Sequence, residues 1–379
     1  MLPYIEKITQ PLLIQSYTVL FVTSFSLCFV ILSSSRYGLN RRAFFDQVAV
    51  QSAHEGNVPR IGGLAIYLSI LGFIPLSTFG LVPLAIVLDL DIVDMSWLLL
   101  SALPVFIVGL AEDLGYSMSP IRRLSACVVS GVLFISVFNV WLSQIGVMGI
   151  DNWLSFAPFG IVFTLFATSG VVNAFNLIDG LNGLSSYVTI STAIALSIIS
   201  FQVDNFQIAS YLILLSAAVL GFMVLNFPFG KIFLGDAGAY TLGHILVWSA
   251  ILLINFDTGI SSFAILLIFF WPVADTGLAI WRRWKLGNPT DRPDRLHFHQ
   301  LAMRYLEIRF VGRGRRKLAN SVATLILAPM ISAPQILGVY LWDNYEATVV
   351  ATVLMGLLFT GTYMLGISLA KKSRTSGRL

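Results

Sequence analysis

Charge is what this 379-residue chain has least of: Asp, Glu, Lys and Arg make up 11% of it. Soluble globular domains carry about 25%, so a water-soluble domain is excluded. Cysteine is nearly absent too. Cys28 and Cys127 both lie inside apolar runs, which leaves neither a disulfide framework nor a thiolate zinc site. No low-complexity tract or internal repeat interrupts the chain, and the lack of a repeat removes a common mark of secondary transporters. A transporter of an anionic solute is the rival reading, and it would put polar residues near the membrane midplane. No cleavable signal peptide is legible. The first apolar run, Leu12–Ser33, has its arginines behind it at Arg36, Arg41 and Arg42, the pattern of an anchor whose N-terminus is outside.

Apolar sequence fills the rest: 57% of residues are hydrophobic and the mean hydropathy is +0.84. Runs long enough to span a bilayer predict eleven helices, at 12–33, 61–83, 95–111, 121–142, 158–178, 184–201, 207–226, 240–256, 260–281, 318–341 and 347–369. The expected fold class is an all-α polytopic membrane protein, one catalytic domain over 1–379. With the N-terminus outside, the segments 34–60, 112–123, 227–240, 282–317 and 370–379 face inward. They hold 22 of the 23 Lys and Arg residues, Lys7 alone falling outside, as the positive-inside rule asks. The net charge of +4 is therefore topological and no sign of nucleic-acid binding. Its densest part, Arg313-Gly-Arg-Arg-Lys317, suits anionic lipid headgroups.

The acids gather on that same side. The third span ends at Glu112-Asp113, the fifth at Asp179, the seventh leads to Asp236, and the ninth runs into Asp291-Arg-Pro-Asp-Arg-Leu-His-Phe-His-Gln300. The inner loops 34–60, 112–120, 179–183, 227–239 and 282–317 carry them. Grouped carboxylates repel one another, and a divalent cation with oxygen ligands resolves the repulsion. Magnesium fits best, with manganese as a substitute, because it takes one or two carboxylates and leaves positions for phosphates. Glu112-Asp113 taken alone is an ordinary solvated helix end. In this company one acid is a candidate metal ligand, the other a candidate proton acceptor or nucleophile-positioning group.

The stretch Asn173-Ala-Phe-Asn-Leu-Ile-Asp-Gly-Leu-Asn-Gly183 sets Asn173, Asn176 and Asp179 three apart, on one face if helical. Gly180 and Gly183 permit a tight turn close to a ligand. In Asn226-Phe-Pro-Phe-Gly-Lys-Ile-Phe-Leu-Gly-Asp-Ala-Gly238, Asp236 precedes the eighth span, so free amides there are expected to serve a metal-bound anion. Lys231 offers a cation for phosphate and Phe233 a face for a nucleobase. Asn57-Val-Pro-Arg-Ile-Gly-Gly63 turns Arg60 toward a phosphate, and His54 lies just before it. His297 and His299, among Arg292, Arg295 and Arg304, suit phosphate contact or proton transfer more than zinc. Asp275, deep in the ninth span, is expected to pair with Arg282 or Arg283 as a structural ion pair. His244 reads as a packing residue.

In order along the chain, Pro59-Arg-Ile-Gly-Gly63, Gly109-Leu-Ala-Glu-Asp113, Asn173 to Gly183, Phe233-Leu-Gly-Asp-Ala-Gly238, Pro272-Val-Ala-Asp-Thr276 and Asp294-Arg-Leu-His-Phe-His299 resemble the motifs of the polyprenyl-phosphate N-acetylhexosamine-1-phosphate transferases. The resemblance runs from His54 to His299. It implies transfer of a sugar 1-phosphate from a UDP-N-acetylhexosamine to polyprenyl (undecaprenyl) phosphate, with release of UMP and with magnesium, at the cytoplasmic face of a bacterial inner membrane. By position it implies that Asp236 is the principal metal ligand with Asp113 and Asp179 beside it, and that Glu112 is the base toward the lipid phosphate. It places the nucleoside at Asn176, Gly180, Leu181, Asn226 and Phe233, and makes His297 and His299 the family's histidine motif. Assembly as a homodimer is compatible with it.

Three residues depart from that pattern. Glu112 stands for an Asp, Asn182 for a second Asp that would meet the nucleotide, and Gln300 for a last histidine. The extended histidine signature of the peptidoglycan-precursor branch is missing, which points to the UDP-GlcNAc branch and away from a MurNAc-pentapeptide donor.

Overall fold

The computed structural model describes residues 2–36, 58–79, 92–287, 296–312 and 315–375, and every regular element among them is a helix. These are α1 (Leu2–Arg36), α2 (Gly62–Thr78), α3 (Ile92–Ser101), α4 (Leu103–Asp113), α5 (Pro120–Phe138), α6 (Ile150–Leu154), α7 (Ala157–Leu177) and α8 (Leu184–Gln202). There follow α9 (Phe206–Asn226), α10 (Gly235–Phe256), α11 (Ser262–Ile268), α12 (Phe270–Leu286), α13 (Phe298–Leu306), a π-turn (Glu307–Val311), α14 (Arg316–Tyr340) and α15 (Tyr345–Thr375).

Among the described residues, eight helices are long and apolar enough to cross a membrane, and 10 spans result if each of two bent pairs counts as one. The segment expected at 61–83 is helical over Gly62–Thr78, 17 residues, and 80–91 lie outside the described residues. Every backbone polar group in hydrocarbon must be bonded internally, and helices do this within one segment.

Two spans expected as one helix each are broken. The pair α3–α4 bends by 45° and the pair α11–α12 by 81°. Pro272 explains the second break: it has no N–H for the Ile268 carbonyl, which instead accepts from Gln335 Nε2 of α14 at 3.3 Å. At the first break, Ser130 Oγ accepts the Val105 N–H at 3.3 Å, and Ser101 Oγ meets His244 Nε2 at 3.0 Å. His244 thus bonds across a helix break as well as packing.

The hub is α10, which packs on α4, α7 and α2 and is buried along nearly its whole length. Small residues let these helices approach. A Cβ on Gly63 of α2 would stand 2.2 Å from the Gly238 nitrogen, and one on Gly109 of α4 would stand 2.5 Å from the Ala237 nitrogen. The backbones of α2 and α4 therefore touch the first turn of α10. That contact fixes the acids relative to one another.

Candidate active site

The first turn of α10 organises the site. A helix start leaves amides without intrahelical partners, and here a residue from another helix takes them. Asp113, the last residue of α4, accepts from the N–H of Asp236 at 2.8 Å and from that of Ala237 at 2.9 Å, one bond to each carboxylate oxygen. The helix dipole favours a carboxylate there. This corrects the sequence expectation in two ways. α10 begins at Gly235 and not at 240, and its first amides are held by Asp113 rather than left for an anion.

Asp236 sits in that first turn. Its Oδ1 accepts from Asn176 Nδ2 at 2.6 Å and lies 3.6 Å from Nη2 of Arg60. Arg60 is held there by backbone pairing of its segment with the start of α10. Phe233 N–H donates to the Pro59 carbonyl at 2.8 Å, Gly62 N–H to Phe233 at 2.9 Å and Gly63 N–H to Leu234 at 2.7 Å. Phe233 is half-buried beside it, and Lys231 is exposed at the rim, its ammonium 5.3 Å from the Phe229 ring centroid.

The amide-and-acid stretch is not one continuous helical face. α7 stops at Leu177, and Asp179 lies on the turn beyond, closed by Gly180 N–H to the Ile178 carbonyl at 2.8 Å. Of the two amides, Asn176 alone reaches Asp236. Asn173 donates to the Ser169 carbonyl of its own helix at 2.8 Å and lies 3.8 Å from Cys127 Sγ, a turn below the acids. Asp179 accepts from Ser185 Oγ at 2.5 Å. Burial pushes its carboxyl up to about 6, and Asp236 repels it in the same direction, against the Ser185 hydroxyl and Arg60.

Glu112 pairs with Arg123 of α5, and its Oε2 is buried with no hydrogen-bond partner among the described residues. Arg123 was not singled out from sequence, although a basic residue soon after an acid-ended span is a legible signal. Ser185, at the start of α8, gave none.

Leu181, Asn182 and Asn226 are buried at 3–5% exposure, and the two amides stitch loops together. Asn226 Oδ1 accepts the Gly183 N–H at 2.6 Å while its Nδ2 donates to the Ile232 carbonyl at 2.8 Å. Asn182 Nδ2 donates to the Pro228 carbonyl at 3.1 Å. Asn182 Nδ2 and both amide atoms of Asn226 go to the backbone of neighbouring loops and so shape the 179–183 turn.

Asp275 has a different partner from the arginines expected for it. Its Oδ2 accepts from His297 Nδ1 at 3.0 Å and its Oδ1 from the Phe298 N–H at 2.9 Å, while His299 Nδ1 lies 3.5 Å away. Arg282 donates instead to the Tyr363 hydroxyl at 2.5 Å. Asp275 therefore caps α13 and fixes the histidine motif, a second helix start served by a carboxylate from elsewhere. His299 is fully buried, which pushes its pKa down and keeps it neutral. A Cβ on Gly180 would stand 2.7 Å from Nε2 of His299, so this ring lies directly on the Asp179–Gly180 turn. Arg295, like His54 and Asn57, lies outside the described residues.

Glu112, Asp113, Asp179 and Asp236 thus come together from two helices, α4 and α10, and the turn after α7, with Arg60, Asn176 and Arg123 among them. Among the described residues no group of three or more Asp, Glu, His or Cys side chains is arranged to enclose a metal ion. A magnesium ion held by one or two carboxylates and completed by substrate phosphates needs no such cage. The partly exposed Asp236, with its carboxylate beside Asn176 and Arg60, fits that mode.

Residues 95–254 match the family model described as Glycosyl transferase family 4. Over 268 residues the chain is 29% identical to the undecaprenyl-phosphate alpha-N-acetylglucosaminyl 1-phosphate transferase of Escherichia coli O157:H7, covering 68% of this chain and 69% of that one. The protein of the same description from Yersinia pestis is 26% identical over 302 residues, 77% and 78% of the two chains. A probable undecaprenyl-phosphate N-acetylglucosaminyl 1-phosphate transferase of Bacillus subtilis (strain 168) is 26% identical over 269 residues, 69% and 70%. Residues 95–254, which hold Glu112, Asp113, Asn176, Asp179 and Asp236 around that helix start, are thus similar to glycosyl transferase family 4.

Proposed function

We propose that this protein transfers N-acetylglucosamine 1-phosphate from UDP-N-acetylglucosamine to a polyprenyl phosphate such as undecaprenyl phosphate, releasing UMP. An oxygen of the lipid phosphate attacks the sugar-bearing phosphorus, and the bond from that phosphorus to the bridging oxygen breaks, so that UMP departs with the electron pair. The product would start a lipid-linked envelope glycan. The reading includes eleven spans, an outer N-terminus and a site open to the cytoplasm, where a soluble donor and a lipid acceptor can meet.

The observation that carries this reading is the convergence of four acids on the start of α10, two of them already committed to protein groups. Asp113 holds the helix start. Asp236 and Asp179 are then the groups open to magnesium, whose role when bound is to neutralise the diphosphate. Arg60 contacts phosphate oxygens beside Asp236. Glu112, oriented by Arg123, turns its second oxygen to the lipid phosphate as base. Asn176 and the Gly180 turn receive the nucleoside with Phe233 as stacking face, and Lys231 stands at the entrance. His299, neutral and seated on Gly180, is suited to hydrogen bonding rather than charge.

Purified protein supplied with a panel of UDP-sugars tests this directly. UMP should appear only when polyprenyl phosphate and magnesium are both present, and mass analysis of the lipid should show the added N-acetylhexosamine phosphate. UMP release without the lipid acceptor, or undiminished in EDTA, would count against it.

A further inference from the structure

α14 lies beyond the matched segment 95–254 and, past the basic residues Arg316 and Lys317 at its start, carries none of the motifs read from the sequence. Its first turns nevertheless grip the site. Asn320 Oδ1 accepts the N–H of Asn182 at 2.7 Å, and Thr324 Oγ1 donates to the carbonyl of the same residue at 2.8 Å. Ser321 Oγ donates to the Pro228 carbonyl at 2.5 Å, the same oxygen that accepts from Asn182 Nδ2. Asn320, Ser321 and Thr324 fall on one helix face, and all three are buried.

Asn182 is 3% exposed and lies in a turn without regular structure. Its peptide groups have neither water nor a ladder to satisfy them, so side chains must. Losing one partner strands a buried polar group and lets the turn shift. Three residues before Asn182 stands Asp179, and between them Gly180 seats His299. A movement at Asn182 therefore reaches both. Further along, Gln335 of α14 donates to Thr192 at 3.1 Å and to Ile268 at the break between α11 and α12, so the helix that grips the turn is itself tied down.

We propose that Thr324 and Asn320 are positioning residues that hold the 179–183 turn in the conformation that receives the donor nucleotide, and so set affinity for the UDP-sugar. The proposal rests on the reading of this turn as the donor site.

Thr324→Val removes the hydroxyl at nearly constant shape and Thr324→Ser keeps it. Thr324→Val raises KM for UDP-N-acetylglucosamine about tenfold, the scale of one stranded buried group. KM for polyprenyl phosphate stays within about twofold because that acceptor is bound elsewhere. Thr324→Ser returns the donor KM to the wild-type value. Independently of turnover, hydrogen–deuterium exchange rises in 179–183 in Thr324→Val and is unchanged in α10. Unchanged exchange in that turn, or equal movement of both KM values, overturns the proposal. If wild-type protein transfers no sugar phosphate at all, the functional reading fails, and the exchange measurement alone decides on the clamp. If Thr324→Val is not recovered folded, Asn320→Ser is read in the same way.

Discussion

Asp113 bonds the two backbone amides of Asp236 and Ala237, so one acid of the cluster builds the helix start on which another acid sits. The two aspartates are neighbours with different work. One is bound through both oxygens to backbone, while the other keeps its carboxylate toward Asn176 and Arg60.

Neutralising them separates the roles. Asp236→Asn should lower transfer by roughly 100-fold or more, the scale for losing one electrostatic group of a phosphoryl-transfer site, with the thermal midpoint in detergent unchanged or higher. Asp113→Ala should lower the midpoint, because two amides lose a cap worth about 0.5–2 kcal/mol. Equal midpoints for the two variants would contradict this division.

Gly180→Ala puts a methyl 2.7 Å from Nε2 of His299. Activity should fall while the fold survives, since a ring on the first turn of α13 can shift. Gly63→Ala meets backbone of α10 at 2.2 Å and should reduce yield of folded protein, as overpacking costs about 1–3 kcal/mol when the neighbour cannot yield. Fluorescence-detected gel filtration of both variants makes the comparison.

Asp275→Ala leaves the Phe298 N–H and His297 without their shared carboxylate. Exchange should increase across α13, and transfer should drop by roughly tenfold or more, in line with losing the support of a site residue. Arg282→Ala, whose guanidinium goes to Tyr363, should not reproduce this exchange pattern.

Acid should stabilise the magnesium-free protein through Asp179. Its carboxyl is raised from an ordinary 3.8 to about 6, so between those values the folded chain binds more protons than the unfolded one. Stability then falls as pH rises through that window and levels off above it. Magnesium competes with the same proton, so its apparent affinity should weaken below about pH 6. Thermal midpoints in EDTA at pH 5, 6 and 7, compared with Asp179→Asn, which should lack this component, give the check.

The sequence by itself determined that this is a helical membrane protein, because a chain with 11% charge and long apolar runs can satisfy its backbone in lipid only within helices. It also put Glu112, Asp113, Asp179 and Asp236 at or near the ends of spans, since an acid is tolerated at a span's end and repelled from its middle. Pro272 signalled a weak point in the ninth span, but neither its angle nor the bond from Gln335 was legible.

Only the tertiary structure decided what each acid does. Asp113 and Asp179 look alike at the ends of their spans, yet one caps α10 and the other accepts from the Ser185 hydroxyl, while Asp275 within its span holds His297. Asn182 bonds with residues 138 and 142 positions away. A carboxylate's role depends on which donors lie within about 3 Å, and those donors are delivered by helices whose meeting depends on close contacts such as Gly63 against Gly238.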